Sequence, residues 1–447
     1  MTPDIVEAID DRSARGIAAA IGRMVTAGTL ATDARLPTVR ALSKALGVSP
    51  TTVSEAWQTL AAVGAIEARG RLGTFVRQPI GPGGARRYRR VTEGPGHFAL
   101  DLSSGTPDPA LLPDLGRVVA NVSRQSLTSS YLDHPVLPEL DAMLREQWPF
   151  APEQLTVVDG AMDALDRIAQ VVVRLGDRVV VEHPTFPPLI DLLEQLGAEV
   201  IGVDLDGEGM SVEGLTAAMA ARPAAVFVQP RAHNPTGISM TAERRKALAA
   251  VLANSDTIIV EDDHSSGIAS APMASLGSIH PSRTVHVRSF SKSHGPDLRL
   301  AAIGGAGDVV NAVANRRLLG PGWSSRILQA VLVGLLADDS TAMVLEHARS
   351  EYARRRHLVT DVLAEHQVPF TGGDGINLWM QVEDERSALI TLAAQGIGAA
   401  PGEPFMVRAD EPSLRITVGL LNGSDREIAS TALRLASAAR PTRPGQR

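Results

Sequence analysis

The chain has 447 residues, of which 44% are hydrophobic and 21% are charged, and its net charge is −7. This length is enough for one small and one large domain of ordinary globular composition. The sequence has no cysteine, which excludes disulfides, thiolate catalysis and cysteine-ligated metals, and no metal site is predicted. The first residues contain neither a basic segment nor a long apolar run, so we expect no signal peptide, no membrane span and a cytoplasmic protein.

The charges are distributed unevenly along the chain. Residues 1–90 contain 13 Lys and Arg against 7 Asp and Glu, a net charge of +6, which leaves −13 on the remainder. A basic segment followed by an acidic body is typical of a nucleic-acid-binding module attached to a domain that does not bind nucleic acid. The sequence therefore predicts two domains with different functions, of which the first binds DNA.

Two consecutive short helices are predicted near the N-terminus. The first ends at Gly47, and the second begins with Ser49 as its N-cap and Pro50 as its first helical residue. The face of the second helix that begins with Thr51 and Thr52 is suited to a DNA groove. The opposite face is predicted to be buried, because apolar residues recur there at helical spacing: Val53, Ala56, Trp57 and Leu60.

A β-hairpin with two arginines at a glycine-rich tip follows these helices. This order predicts a winged helix-turn-helix of the α+β class, and residues 1–77 are similar to the DNA-binding domain of the GntR family of bacterial regulators. The alternative is a small helical bundle with a surface hairpin. Under the first interpretation arginine and lysine side chains contact phosphates, and the two arginines at the hairpin tip enter a minor groove. The predicted DNA-binding residues are Arg35, Arg40, Lys44, Ser49, Thr51, Thr52, Arg69 and Arg71.

Residues 78–96 are rich in Pro and Gly and then in Arg. A segment of this composition has too few apolar side chains to build a core, so it predicts a flexible tether between the two domains. Its arginines add a nonspecific attraction to DNA.

One segment of the second domain has the residues that pyridoxal phosphate requires. Lys292 follows Ser289 and Ser291, and Arg299 comes seven residues after the lysine. A lysine amine forms a Schiff base with the cofactor aldehyde, while hydroxyls and a guanidinium bind its phosphate. The segment therefore predicts a pyridoxal-phosphate site, with a polar surface turn as the alternative.

Acidic residues follow a buried strand upstream of this segment. Residues 257–260 form a β-branched run typical of a parallel strand, and residues 261–263 are Glu, Asp and Asp. Carboxylates at the carboxyl end of such a strand lie where open α/β sheets bind ligands. We predict that Asp262 keeps the pyridine nitrogen protonated and that His264, on the same side of the chain, points toward the phenolic oxygen. The alternative is that the acids cap a helix.

Two more predicted strands end in polar or glycine-rich turns. Residues 225–228 lead into a turn in which Asn234 can offer its amide to the phenolic oxygen. Residues 155–158 lead into a glycine and a predicted helix whose free backbone N–H groups would bind the phosphate. The residues at that helix start are Gly160, Ala161 and Met162.

The order and spacing of these four strand ends resemble the fold-type I aminotransferases over residues 97–440. The resemblance implies an α/β body with a large parallel-sheet domain, a small α+β C-terminal domain from about residue 325, and a homodimer. It also implies that Phe186 stacks on the pyridine ring, that Tyr131 reaches the phosphate of the neighbouring subunit, and that Arg415 binds a substrate carboxylate. A core position for Phe186 and a structural ion pair for Arg415 are the alternatives.

A GntR-like head on an aminotransferase-like body is the architecture of the MocR regulators, and this sequence is most similar to their PtsJ type, which is linked to vitamin B6 salvage. The resemblance implies a regulator that binds operator DNA and takes pyridoxal phosphate as its effector. An active aminotransferase with a DNA-binding appendage is the alternative. A pure dimerisation scaffold would not need Lys292. The chain departs from ordinary aminotransferases in having His264 where a tyrosine is expected and Val136 where a glycine is usual.

Overall fold

The structure is a computed structural model, and it describes residues 2–26, 29–31, 33–62, 66–76, 86–92, 98–122, 130 and 133–440. The chain divides into a compact N-terminal unit, whose continuous part is Met1–Arg86, and a larger unit that contains most of the remaining chain. Within these described ranges no single helix is long and apolar enough to cross a membrane. One bent pair, Arg326–Leu336 with Asp339–Glu365, meets the length and composition criteria together.

The N-terminal unit has the elements of a winged helix-turn-helix, as predicted. Its two central helices are capped as the sequence indicates: the Thr38 side chain accepts a hydrogen bond from the backbone of Ala41, and Gly47 ends that helix with a φ of +68°. The Ser49 hydroxyl accepts a hydrogen bond from the Thr52 backbone at 3.1 Å. The elements are α1 (Thr2–Glu7), α2 (Ala14–Thr26), α3 (Val39–Leu46), α4 (Pro50–Ala62) and an antiparallel hairpin of β1 (Ile66–Ala68) and β2 (Thr74–Val76).

Helix α4 buries the face that its apolar spacing predicts. The apolar side chains of this α4 face pack in one hydrophobic cluster with Ile17 and Ile21 of α2 and Leu42 of α3. Burying an aliphatic side chain of this size contributes about 1.5–3 kcal/mol, so this cluster fixes which face of α4 stays outside. The buried residues of α4 are Val53, Ala56, Trp57 and Leu60.

The larger unit is built on an eight-stranded sheet with the order β4-β11-β10-β9-β8-β5-β6-β7. Strand β11 runs antiparallel to both β10 and β4, and β7 runs antiparallel to β6, so the large sheet that was predicted as parallel is mixed at these two strands. The chain between β10 and β11 is shorter than the dozen or more residues that a parallel crossover requires. The strands are β4 (Gln154–Val158), β5 (Arg178–His183), β6 (Glu199–Asp206), β7 (Gly209–Met210), β8 (Ala225–Val228), β9 (Ile258–Asp263), β10 (Thr284–Ser289) and β11 (Ala301–Gly305).

The C-terminal part of this unit carries a separate four-stranded antiparallel sheet in the order β12-β13-β16-β15, and a two-stranded parallel pair of β3 and β14. The strands are β3 (Leu100–Asp101), β12 (Phe370–Thr371), β13 (Leu378–Gln381), β14 (Ile397–Gly398), β15 (Ala400–Pro401) and β16 (Ser413–Ile416). The helices of the larger unit are α5 (Arg86–Thr92), α6 (Leu115–Ala120), α7 (Pro138–Glu146), α8 (Ala161–Val172), α9 (Pro187–Gln195), α10 (Val212–Met219), α11 (Ala242–Leu252), α12 (Ser291–His294), α13 (Gly307–Leu318), α14 (Arg326–Leu336), α15 (Asp339–Glu365), α16 (Glu385–Ala394) and α17 (Asp425–Ala439).

Helix α5 lies within the segment predicted to be a flexible tether. Val91 of this helix is buried in a cluster with Trp379, Ala400 and Phe405. Arg90 forms an exposed ion pair with Glu403 at 2.7 Å, although the two residues are 313 positions apart in the chain. Residues 86–92 of the predicted tether are therefore helical and in contact with the body, because one apolar side chain among the arginines packs against residues that are equally remote in the sequence. The rest of the predicted tether, residues 78–85 and 93–96, lies outside the described residues.

Candidate functional site

Asp262 lies at the carboxyl end of β9 and has one buried oxygen without a partner. Its Oδ2 accepts a hydrogen bond from Gln229 Nε2 at 2.7 Å. No group among the described residues donates to Oδ1. Burial raises the pKa of Asp262 to about 6, although the bond from Gln229 and the charge of Lys292 oppose that shift. A buried acceptor without a partner is rare in a folded protein, and it indicates a donor that arrives with a ligand.

Lys292 lies directly beside His264. The amine Nζ is 2.7 Å from the imidazole Nδ1. Burial lowers the pKa of Lys292 to about 7, and burial together with the charge of Lys292 lowers the pKa of His264 well below its usual value. The imidazole is therefore neutral and accepts a hydrogen bond from the amine. A lysine that is substantially neutral near pH 7 is a competent nucleophile toward an aldehyde.

Gly160 and Arg299 lie next to each other at the start of α8. Gly160 has a φ of +101°, and a Cβ at this position would come within 3.2 Å of the Arg299 guanidinium. Arg299 is exposed and donates to the carbonyl of Asp159 at 3.3 Å. The free N–H groups at the beginning of α8 and a guanidinium beside them form a site for an anion such as a phosphate. A side chain larger than glycine would fill that space.

The other residues predicted at the phosphate occupy the neighbouring positions. Ser289 ends β10 and Ser291 begins α12, and the backbone N–H of Ser291 is 3.4 Å from the Ser289 hydroxyl. Ala161 and Met162 are the first two residues of α8 and are half-buried. These side chains and amides therefore lie at the ends of β4 and β10, as the sequence predicts.

The two acids that flank Asp262 serve the opposite face of β9. Successive side chains of a strand alternate between faces, so Glu261 and Asp263 point away from Lys292. Glu261 accepts hydrogen bonds from the Ser275 hydroxyl at 2.6 Å and from His286 Nδ1 at 2.8 Å. Asp263 forms an ion pair with Arg231 at 2.6 Å. Both acids are fully buried, and in the described part of the chain neither caps a helix of four residues or more.

Gln229 and Arg231 are buried polar residues that the sequence analysis missed: Gln229 supports the site itself, whereas Arg231 pairs with Asp263 on the opposite face of β9. Both follow β8, where we singled out only Asn234. Gln229 binds Asp262 through its Nε2 and accepts the backbone N–H of Asn234 at 2.8 Å through its Oε1. The signal was present, since polar side chains directly after a buried strand mark the same sheet edge as the acids do.

Arg415 is a buried cation on β16. Its guanidinium lies 5.2 Å from the centre of the Phe405 ring and donates to the carbonyl of Ser103. Its Nε has no hydrogen-bond partner, and none of the described carboxylates lies within ion-pair distance. Burial lowers the pKa of Arg415 to about 10, whereas the nearby phenol of Tyr88 and the carboxyl of Asp101 act in the opposite direction. The structural ion pair considered for this arginine is therefore not found in the described part of the chain.

Three further residues were predicted to contact the cofactor, and the structure describes the positions of two of them. Asn234 is buried, and its Oδ1 is 3.4 Å from Asn377 Nδ2. Phe186 is half-buried and lies in the turn between β5 and α9. Tyr131 lies outside the described residues.

The turn that carries Phe186 is short and is attached to the body through its backbone. Two residues, Pro184 and Thr185, separate the end of β5 from Phe186, and α9 begins at the next residue. The backbone N–H of Thr185 donates to the carbonyl of Phe405 at 2.9 Å. Phe186 therefore lies at the carboxyl end of β5, which is adjacent to β8, the strand that precedes Asn234; β8 in turn is adjacent to β9, which carries Asp262.

One group of described side chains has the spacing of metal ligands, namely His183, Asp204 and Asp410. His183 Nδ1 accepts the backbone N–H of Val407 at 3.2 Å, and its Nε2 is 3.1 Å from Asp410 Oδ2. The ring proton is therefore on Nε2 and is donated to Asp410. A neutral imidazole with both nitrogens engaged in this way has no lone pair left for a metal ion.

The predicted DNA-binding side chains lie on α3, on α4 and beside the hairpin. Arg40 and Lys44 are exposed on α3, and Thr51 is exposed in the first turn of α4. The hydroxyls of Ser49 and Thr52 are 2.8 Å apart, so these two residues stabilise the helix start.

Of the two arginines predicted at the hairpin tip, Arg69 and Arg71, the structure describes the side chain of Arg69 alone. Arg69 pairs with Asp33 and Glu67, and its guanidinium lies 4.8 Å from the centre of the Phe75 ring. Arg69 thus contributes to the structure of the hairpin itself. The side chain of Arg71 lies outside the described residues. Arg35 is exposed, and its guanidinium approaches Gly73 closely enough that a Cβ there would be 3.0 Å away.

Comparisons with known proteins agree with both halves of this description. The family model "Aminotransferase class I and II" matches residues 99–433, and the model "Bacterial regulatory proteins, gntR family" matches residues 13–76. The Salmonella typhimurium vitamin B6 salvage pathway transcriptional repressor PtsJ is 36% identical over 93% of this chain and 96% of its own length. The HTH-type transcriptional regulator TauR of Rhodobacter capsulatus is 30% identical over 87% of this chain and 89% of its own.

A solved structure shows the same fold for the body. LysN, the alpha-aminoadipate aminotransferase of Thermus thermophilus, matches with a TM-score of 0.71 at 22% identity and covers 80% of this chain and 97% of LysN. The predicted fold class is therefore confirmed, apart from the antiparallel strands β7 and β11. The chain belongs to the MocR-type regulators, in which a gntR-family DNA-binding head is joined to a body of the aminotransferase class I and II family.

Proposed function

We propose that this protein is a transcriptional regulator that binds operator DNA through its N-terminal unit and pyridoxal phosphate through its body, with vitamin B6 salvage as the process it controls. The observation that carries the proposal is the unpartnered, buried oxygen of Asp262 on the same side of β9 as Lys292. The presence of Asp262 and Lys292 in this arrangement, in a chain that also has a gntR-family domain, supports a regulator whose body binds a ligand. The name of the PtsJ relative supports the choice of vitamin B6.

The residues of the site fit pyridoxal phosphate. When bound, the cofactor supplies an aldehyde that captures amines and a ring that withdraws electrons. Asp262 would accept a hydrogen bond from the ring nitrogen and so keep that nitrogen protonated, and Lys292 would provide the amine that links to the aldehyde. The amides that open α8 and the guanidinium of Arg299 bind the phosphate. Phe186 stacks on the ring and Asn234 binds its phenolic oxygen.

His264 changes the proton balance of this site relative to the tyrosine that the resemblance implies. A neutral imidazole at 2.7 Å from Lys292 accepts from the amine and holds no proton of its own at Nδ1. A tyrosine would instead offer an acidic O–H. We therefore expect slow turnover of common amino acids, because His264 is a poor proton donor at neutral pH.

An active aminotransferase is the second candidate function. It is favoured by Arg415, whose buried guanidinium lacks a carboxylate partner among the described residues and lowers the pKa of Lys292 by its charge. Both functions use the same cofactor, so binding alone does not separate them.

The deciding experiment measures DNA binding and transamination on the same preparation. We expect pyridoxal phosphate to shift the affinity for promoter DNA by about 5- to 150-fold, the usual range of allosteric coupling. Lys292→Ala should remove the covalent cofactor and this shift, whereas Lys246→Ala, at an exposed position of α11, should change neither. Fluorescence anisotropy with promoter fragments, beside an assay with a panel of amino and oxo acids, gives both readouts. Rapid turnover without a change in DNA affinity would favour the aminotransferase.

We further infer that the protein is a homodimer, which would present two heads to paired half-sites. Large apolar side chains are exposed on three helices of the body, namely Val119 on α6, Ile327 on α14 and Met343 on α15. Exposed apolar side chains of this size are typical of surfaces that another protein covers. Light scattering at micromolar concentration should give twice the mass of the chain, and a monomer that still binds the cofactor would contradict the inference.

A further inference from the structure

Helix α5 and Arg415 share the same neighbours. Trp379 and Ala400 are the cross-strand partners of Arg415 in the small sheet, and the Phe405 ring lies under its guanidinium. Val91 of α5 is buried against these same three residues. Any ligand that moves Arg415 therefore acts on the surface that holds α5.

Tyr88 is the residue of α5 that acts electrostatically on Arg415. It precedes Val91 by three positions, so both side chains lie on the same face of the helix. Tyr88 raises the pKa of the Arg415 guanidinium and thus opposes the effect of burial. The side chain of Tyr88 is 42% exposed, so it borders solvent on one side and the arginine on the other.

Arg415 itself is a buried cation with no anionic partner among the described residues. Its side chain is 3% exposed, its Nε has no hydrogen-bond partner, and its guanidinium donates only to a carbonyl in the contacts that the structure describes. A buried guanidinium in this state is stabilised strongly by a carboxylate, which it binds in a bidentate manner.

We propose that α5 is part of the ligand site, with Tyr88 donating a hydrogen bond to the carboxylate of an amino or oxo acid bound at Arg415. This inference rests on the proposed function, in which the body senses a small molecule. The carboxylate is then a second effector that fixes α5 on the body. Because binding free energies are linked, fixing α5 also tightens the binding of the carboxylate.

The absence of cysteine from the chain makes α5 accessible to a specific probe. Arg89 is exposed on α5, so Arg89→Cys provides a single attachment point for a nitroxide spin label. The ligand is 4-methylpentanoate, which has a carboxylate but no amine, and 4-methylpentanamide is its uncharged control. We expect the carboxylate to slow the motion of the label at millimolar concentration and the amide to have no effect. Glu243→Cys, exposed on α11, carries the same label as a control and should respond to neither.

Two substitutions test the assignment of the contacts. Tyr88→Phe keeps the aromatic ring and removes the phenolic hydroxyl, and we expect it to weaken carboxylate binding about tenfold, as for loss of a hydrogen bond to a charged group. Arg415→Gln should abolish the response. The inference is overturned if the carboxylate binds without changing the motion of the label on α5. It is also overturned if the Tyr88→Phe variant binds the carboxylate with the same affinity as the unsubstituted protein.

Failure of this inference is distinguishable from failure of the proposed function. A pyridoxal-phosphate effect on DNA affinity combined with an unresponsive label on α5 would reject the role of α5 alone. A protein whose DNA affinity ignores pyridoxal phosphate would reject the proposed function, whatever the label shows.

Discussion

The two faces of β9 carry buried carboxylates in opposite states. On one face, Glu261 and Asp263 have full sets of partners that include His286 and Arg231. On the other face, Asp262 keeps one buried oxygen without a donor in the described part of the chain. Saturated buried charges maintain a fold, whereas an unsaturated one adjacent to a nucleophilic lysine marks the place of a ligand.

The same contrast distinguishes the buried arginines of the body. Arg355 donates to Asp108 and Glu351 at 2.8 Å each and to the carbonyl of Gly419. Arg415 has a carbonyl and an aromatic ring instead of a carboxylate. Burial of a charge is costly without a partner. Arg356 is also buried with a carbonyl as its described partner, but Arg415 differs from it in acting on Lys292 by its charge, which favours Arg415 as the place where an anion binds.

The largest effect is expected from exchanging one acid at a time on β9. Asp263→Asn leaves the buried Arg231 without its counter-charge and should destabilise the body by about 3–5 kcal/mol. Asp262→Asn should leave the stability of the unliganded chain nearly unchanged and should weaken cofactor binding. Thermal unfolding with and without pyridoxal phosphate separates the two effects. Equal destabilisation by both substitutions would show that the two faces do not differ.

The pH dependence of cofactor attachment sharpens the same comparison. The pKa of Lys292 is lowered to about 7 in the folded chain, so the amine is already largely neutral at pH 8. We expect the rate of covalent attachment to rise through about pH 7, about three pH units below the value for an ordinary lysine. The charged lysine also opposes folding below pH 7, and this cost disappears as the pH rises from about 7 toward 10.5. Stopped-flow absorbance measures the rate, and a profile that rises only above about pH 9 would contradict the assignment.

A smaller effect on cofactor affinity is expected from a substitution at Gln229, which donates a hydrogen bond to Asp262. Gln229→Leu removes the only hydrogen bond that the described residues give to Asp262, so the pKa of that carboxyl should rise further. We expect cofactor affinity to fall about tenfold, as for loss of a hydrogen bond to a charged group. Gln170→Leu is the matched control, because the Gln170 amide also donates to a carboxylate, that of Asp166 on α8. An unchanged affinity in Gln229→Leu would mean that Asp262 is oriented by the backbone alone. Titration monitored by absorbance provides the measurement.

The sequence was sufficient to predict the elements that are local in the chain. The strand ends that carry Gly160, Asn234, Asp262 and Ser289 follow from buried runs that stop at polar turns, and the helix starts follow from their caps. The choice of Asp262 among three successive acids depended on the resemblance to aminotransferases. The alternation of β9 now gives a physical reason for it, since Asp262 is the acid that faces Lys292.

The features that the sequence did not predict depend on contacts between distant residues. Nothing near Val91 indicates that Phe405 and Trp379 will cover it. Similarly, the pairing of Arg69 with Asp33 joins residues 36 positions apart, so a tip arginine that looked available for DNA is held by the hairpin. The direction of β11 was not predicted because no strand was predicted at Ala301–Gly305, although the short connection after β10 excludes a parallel crossover.

The docking of α5 has a consequence for the populations of the resting protein. The contacts described for this helix include one buried valine and one exposed ion pair. Full burial of a valine contributes about 1.5–3 kcal/mol, and an exposed pair adds little. A free-energy difference of a few kcal/mol between the docked and undocked helix leaves the undocked form at about 0.1–10% of the molecules before any ligand arrives. Molecules with the helix released are therefore always present, and an effector needs only modest preference for one state to change how many there are.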